Sequence, residues 1–244
     1  MLTRTFKTDK LIVNIYDSRT EMGKGAAAEA AAYLRHLLAK KEEAYIVFAA
    51  APSQNEFLAE LAAAPDIAWQ RIHALHMDEY IGLPADAPQG FGNFLKRSIF
   101  DKVPFASVHY IGTEKTAEQA CAEYDKLLRA HPIDIVFMGI GVPSVDDSTI
   151  LQTGYVDGTM LDDFTAHGAV GDIALRYFNK DGDTAPFRAF NERVAGIPLD
   201  TLKKIPRRVG AAGGRQKTEA VRGAIRGGFI NVLITDIDCA EQLF

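Results

Sequence analysis

Short apolar runs rich in β-branched and aromatic residues recur along this chain, and between most of them lies room for one helix. They are Leu-Ile-Val-Asn-Ile-Tyr after Lys10, Tyr-Ile-Val-Phe-Ala-Ala at 45–50, the run ending in Leu-His-Met at 77, Ile-Asp-Ile-Val-Phe-Met at 133–138 and the run at 229–235. Runs this apolar read as strands buried on both faces, and such strands are found in parallel sheets covered by helices. The intervening segments carry helical patterning: an Ala-rich stretch at 19–41, then 53–64, 91–100 and 116–130, the last with Ala120, Tyr124, Leu127 and Leu128 on one side. The alternation predicts an α/β fold, a Rossmann-like three-layer arrangement with a mostly parallel central sheet.

The second half is less regular, with a polar loop at 146–149, a short helix at 158–167 and one strand at 171–178. A strand at 206–212, a helix from Gly213 to about Arg226 and a terminal helix at 237–243 complete the pattern. No Gly-, Ser- or Pro-rich linker and no internal repeat divides the 244 residues, so one domain over 1–244 is expected.

Composition narrows the function classes. A net charge of −5 gives no reason to expect nucleic acid or an anionic membrane as partner. The apolar runs are too short to span a bilayer and the first ten residues hold no signal-peptide core, so a cytoplasmic protein is expected. Cys121 and Cys239 lack metal spacing and are expected to be buried reduced thiols. None of the six histidines forms an H-x-x-x-H or H-E-x-x-H pattern, and neither a dinucleotide fingerprint nor a nucleoside triphosphate loop is present. No metal and no cofactor is expected.

Three junctions carry candidate chemistry. The run ending at Met77 delivers Asp78 and Glu79 into a Gly/Pro turn, where two acids could serve as a proton-transfer base with a positioning partner, or be solvated loop acids. His76 precedes them and reads as a core or rim histidine. Ser53 and Gln54 follow a strand at a helix start, where backbone N–H groups can hold an anion; a plain strand-to-helix turn is the alternative. Gly213, Gly214 and Lys217 repeat that arrangement, either as a phosphate cradle or as a glycine turn with solvated basic residues. A parallel sheet places all such junctions at one edge.

The segments Ala-Ala-Pro-Ser-Gln-Asn-Glu-Phe-Leu (50–58), His-Met-Asp-Glu-Tyr-Ile-Gly-Leu-Pro (76–84), Pro-Gln-Gly-Phe (88–91) and Ile-Asp-Ile-Val-Phe-Met-Gly-Ile-Gly (133–141) resemble the glucosamine-6-phosphate deaminase/isomerase family. The resemblance implies that Asp78 shuttles a proton between neighbouring sugar carbons, with Glu79 beside it, and that the turn before Ser53 binds phosphate. It breaks after Gly141, where Val142-Pro143-Ser144 stands in place of the family's ring-opening histidine segment. From Gly139 onward, 147–156, 168–182, 191–217 and 226–236 resemble the sugar-phosphate-binding effector domain of SorC-type regulators. That likeness implies phosphate contact by Gly213, Gly214 and Lys217 and places Asp172 near the sugar; no helix-turn-helix is found. The sharp change near 139–141 favours a chimera of two related halves over a divergent protein. The expectation is a binder of a small phosphorylated sugar with little or no catalysis. Alternatives are an aldose–ketose isomerase or deaminase, and a ligand sensor, the sensor as a homo-oligomer.

Overall fold

The computed structural model describes residues 1–144 and 156–244. Strands β1 (Leu2–Thr8) and β2 (Leu11–Tyr16) form a hairpin, followed by α1 (Arg19–Leu38), β3 (Ala44–Phe48) and α2 (Asn55–Ala62). Next come β4 (Ile72–His76), the two-residue β5 (Asp78–Glu79), α3 (Phe91–Leu95), β6 (Ser107–His109), α4 (Ala117–Ala130) and β7 (Ile135–Gly139). The remainder holds α5 (Gly158–Ala166), β8 (Ala169–Ile173), β9 (Arg176–Asn179), α6 (Arg188–Asn191), β10 (Ala195–Gly196) and α7 (Leu199–Leu202). It closes with β11 (Arg207–Ala211), α8 (Thr218–Arg226), β12 (Val232–Asp236) and α9 (Ile237–Leu243).

Eight strands make the main sheet in the order β1-β2-β12-β11-β7-β3-β4-β6. From β2 to β6 every neighbouring pair is parallel, and only β1 is antiparallel. The α/β layout expected from the alternation is therefore the one observed. Side chains alternate across the sheet with period two. Val47, Leu75, Val136, Met138 and Leu233 pack on one face with α4, α8 and α9. Ile46, Phe48, Ile135, Phe137, Val232 and Ile234 pack on the other with α1, α2 and the 91–100 segment. Chain order changes direction between β3 and β7, so a crevice opens at their C-terminal ends, where α/β proteins place ligands.

Several local expectations need correction. Strand β1 has no counterpart in the sequence reading, because its exposed Leu-Thr-Arg-Thr-Phe-Lys-Thr lacks an apolar face. The single strand expected at 171–178 is a hairpin, β8 paired with β9. Its turn sets Ala174 and Leu175 at φ 52° and 57°, a geometry that glycine or asparagine normally announces. The 91–100 segment closes as a π-helical turn, Lys96–Phe100, after α3. Cys121 is exposed rather than buried; Cys239 is buried, and both thiols are free. The polar loop at 146–149 lies outside the described residues.

Among the described residues no helix is long and apolar enough to cross a membrane. Helix α1 approaches α2 closely because Ala26, Ala27, Ala30 and Ala31 line its buried side. At Gly23 a Cβ would lie 2.6 Å from Glu56 Cβ and 3.3 Å from two backbone atoms of α2. Alanine in place of glycine normally favours a helix by about 1 kcal/mol, whereas overpacking against backbone costs about 1–3 kcal/mol. The clash is expected to win: Gly23→Ala should lower the denaturation midpoint, while Gly158→Ala, with open space around its Cβ, should not. A Gly23→Ala variant as stable as the parent in urea titration would contradict this packing.

Candidate functional site

The shared direction of β4, β3, β7 and β11 brings the three junctions to one edge of the sheet. Asp78 and Glu79 follow β4 and are both buried, at 6% and 5% exposure. They are not solvated loop acids. Their side chains have separate environments, as adjacent residues in extended backbone should.

Glu79 faces α3. Its Oε1 accepts from the Tyr80 and Phe91 N–H groups at 2.9 Å each, and its Oε2 accepts from Gly92 N–H at 2.8 Å. Two of these donors belong to the first turn of α3, which has no side-chain cap from Gly90. Glu79 thus satisfies otherwise orphaned N–H groups, and its carboxylate is engaged in holding the turn that carries Asp78.

Asp78 is held differently. Its backbone pairs with Gly196 of β10, and Ile197 N–H donates to Met77 O at 2.9 Å. His76 is fully buried and uses both ring nitrogens. Ile111 N–H donates to Nε2 at 2.8 Å, so Nδ1 carries the proton and donates to Asp78 O at 3.0 Å. Burial holds the His76 pKa below the ordinary histidine value, against the opposing pull of Glu79. The Tyr124 hydroxyl of α4 donates to His76 O at 2.6 Å. These bonds fix the strand end around Asp78.

The Asp78 carboxyl is pushed up to about 7 by burial, with Arg176 opposing the rise and the Glu79 and Asp172 charges adding to it. Asp172, on β8, is pushed up to about 6 by burial; Lys217 and the Leu175 N–H oppose. Asp172 is bridged to Gly141 by paired backbone bonds of 3.0 and 3.2 Å. A Cβ on Gly141 would run into the Asp172 carboxylate, so glycine is required after β7 for that side chain to sit where it does. Asp78, Asp172, Arg176 and Lys217 therefore form one electrostatic group drawn from both halves of the chain.

The other candidates lie along the same edge. Ser53 is exposed and Gln54 buried in the turn after β3. A Cβ on Gly139 would lie 3.4 Å from Gln54 Nε2 and 3.9 Å from Ser53 Oγ, so both side chains overhang the end of β7. Gly213 and Gly214 follow β11, with Gly214 at φ +90°, a conformation that favours glycine. Gly213 packs against the Asp236 carboxylate and the Met22 sulfur. A short 3₁₀ turn, Arg215–Lys217, precedes α8, and Lys217 is half-buried. Among the described residues no hydrogen bond joins Ser53 to Lys217. Among the described residues no three His, Cys, Asp or Glu side chains are grouped to hold a metal ion.

Arg176 and Tyr124 were absent from the sequence-derived site. Arg176 is 7% exposed and lies in an apolar strand, which was its one available signal. Its guanidinium donates to Val194 O at 2.9 Å, Gly196 O at 3.2 Å and Ala174 O at 3.3 Å.

Two measurements check this geometry. A carboxyl whose folded pKa is raised contributes stability that is present below its unfolded pKa and lost as pH rises through the folded value. Between about pH 4 and 8 Asp78 should therefore penalise folding progressively, by on the order of 2–4 kcal/mol at the upper end. The Asp78→Asn variant should gain stability relative to the parent over that range in urea titrations; parallel pH profiles would contradict a buried, high-pKa Asp78. Glu79→Ala leaves three backbone donors without their acceptor and should cost about 3 kcal/mol or more. Glu79→Gln, which keeps one carbonyl acceptor, should cost less, and equal losses would argue against the capping role.

Two family models match the chain. Residues 17–143 match the model of glucosamine-6-phosphate isomerases/6-phosphogluconolactonase, and residues 119–244 match that of a sugar-binding domain, Sugar-bind. The chain is 43% identical over 120 residues to the transcriptional regulator LsrR of Escherichia coli, covering 49% of this chain and 38% of that one. It thus spans about two fifths of that relative's length. It is 30% identical over 184 residues to the glucosamine-6-phosphate deaminase of Enterococcus faecalis, covering 72% of each. Among solved structures, a DeoR family transcriptional regulator from Listeria monocytogenes superposes with a TM-score of 0.70 at 21% identity, over 96% of this chain and 92% of that one. A monomeric glucosamine-6-phosphate deaminase superposes with a TM-score of 0.66 at 16% identity, over 94% of this chain and 99% of that one. At these identities the superpositions show a shared fold. Both resemblances read from the sequence are thus borne out: the chain belongs to the glucosamine-6-phosphate isomerase/6-phosphogluconolactonase family through its first half and to the sugar-binding domain family through its second.

Proposed function

We propose that the chain is a sugar-phosphate-binding α/β domain, a chimera of two related halves folded as one domain, with little or no catalytic activity. The observation that carries the reading is the charge group at the sheet edge. Asp172 feels Lys217 on one side and raises the proton affinity of Asp78 on the other. A cation beside a glycine turn suits a phosphate, and a buried carboxyl with a half-buried one beside it suits the hydroxyls of a sugar. In this reading Gly213, Gly214 and Lys217 hold phosphate, Asp172 and Asp78 bind hydroxyls, and Ser53 and Gln54 close the β7 side. Glu79 braces the turn. The weak-catalysis part rests on Val142-Pro143-Ser144, where the deaminase-like pattern calls for a ring-opening histidine.

One observation favours a second reading, an aldose–ketose isomerase or deaminase. A carboxyl near pKa 7 is matched to proton transfer at neutral pH. The match to a regulator over the second half favours a third, an effector-sensing domain.

Isothermal calorimetry with hexose and triose phosphates at pH 7 separates these readings. Binding heat is expected for at least one phosphosugar, at least tenfold weaker for its unphosphorylated form and for Lys217→Met. No heat and no thermal shift with any phosphosugar would remove the binding reading. Ammonia release from glucosamine-6-phosphate that disappears in Asp78→Asn would replace it with the enzymatic one. A ligand-dependent change of assembly state on a sizing column would favour the sensor.

A further inference from the structure

The two halves meet chemically at a residue outside every junction discussed so far. Arg176 opens β9 on the second-half side, and its guanidinium is inserted among three carbonyls. Two of them, Val194 O and Gly196 O, bracket β10. Strand β10 in turn pairs with β5, placing Gly196 opposite Asp78. The approach is tight: a Cβ on Gly196 would lie 2.6 Å from Met77 O and 2.8 Å from the Asp78 Cα and Cβ. Movement of the Gly196 backbone would therefore be felt directly at Asp78.

The charges acting on Asp78 are one cation and two anions. Glu79 on its own strand and Asp172 on β8 repel its charge, and Arg176 from β9 attracts it. The Tyr124 hydroxyl from α4 lies within the same field, burial and the Asp78 charge both raising its pKa. Burial lowers the His76 pKa. Cys121 of α4 and Tyr124 also face Arg176.

We propose that Arg176 is a positioning residue of this site: it clamps the β10 carbonyls against which Asp78 is set and supplies the buried positive charge facing the Asp78 carboxylate. The proposal rests on Asp78 being the acidic group of the site, and it makes Arg176 the link through which the second half governs an acid contributed by the first. An arginine suits both tasks: one terminal nitrogen of its planar fork serves Val194 O and Gly196 O and the other serves Ala174 O, while the charge is kept. Lysine keeps the charge without the fork, and glutamine keeps a donor without the charge, so the two substitutions separate the roles.

The test follows Asp78 by carboxyl ¹³C NMR across pH 4–9 in the ligand-free chain, with Asp78→Asn for assignment. In Arg176→Gln the Asp78 midpoint should rise by roughly one pH unit or more, since an opposite charge at short range typically lowers a carboxyl by 1–3 units. In Arg176→Lys it should stay closer to the parent, while the Ile197 amide, bonded to Met77 O, exchanges faster. Circular dichroism establishes that each variant is folded. An unchanged Asp78 midpoint in folded Arg176→Gln would overturn the proposal. If that variant does not fold, Arg176→Lys decides alone: faster Ile197 exchange supports the clamp, and parent-like exchange overturns it. The measurement needs no sugar, so a chain that binds no phosphosugar but shows these shifts would sink the binding reading and leave this one standing.

Discussion

Strand β7 is the interaction on which the rest of the molecule depends. Its backbone pairs with β3 through Ile135, Val136 and Phe137 and with β11 through all five of its residues. Strand β3 comes from the first half and β11 from the second, so β7 is one of two places where the halves join in the sheet, the other being the parallel pairing of β12 with β2. Parallel pairing needs matching register and direction, and both faces must be covered. Val136 and Met138 go to one core and Ile135 and Phe137 to the other. A one-residue slip would exchange these sets and disrupt both layers. The seam is therefore tightly specified even though the family resemblance changes beside it.

The same seam explains where the site lies and why it is costly. Parallel strands deliver their C-terminal turns to one edge, and β7 ends in Gly139-Ile140-Gly141 between the turns of β3 and β11. Glycine at 141 leaves room for the Asp172 carboxylate, which closes the edge from the β8–β9 hairpin. A buried carboxyl beside a second, half-buried one does not ionise freely. The bonds of His76, Tyr124 and Arg176 hold the strand end around Asp78 in place.

The sheet was legible because its strands are buried on both faces and announce themselves by composition. The hairpin at 169–179 was not, because Ala174 and Leu175 adopt left-handed backbone without glycine or asparagine to mark it. That single misreading hid Arg176. In an uninterrupted strand it would share a face with Asp172, and nothing would suggest that it turns toward β10. The junction residues were found because strand-to-helix turns have a readable grammar. Their division of labour was not readable, since Asp78 and Glu79 are neighbours of equal charge.

What separates those two acids is the supply of donors. Glu79 meets three backbone N–H groups, two of them at the start of a helix. Asp78 meets instead the fields of two other carboxylates and one buried guanidinium. The helix start fixes one acid as a brace, whereas the proton affinity of Asp78 is set first by its burial and then by the charges of Arg176, Glu79 and Asp172. Two of those charges, Arg176 and Asp172, reside on the hairpin of the second half. The acid of the first half is thus biased by two side-chain charges of the second half, on top of its own burial and the charge of Glu79.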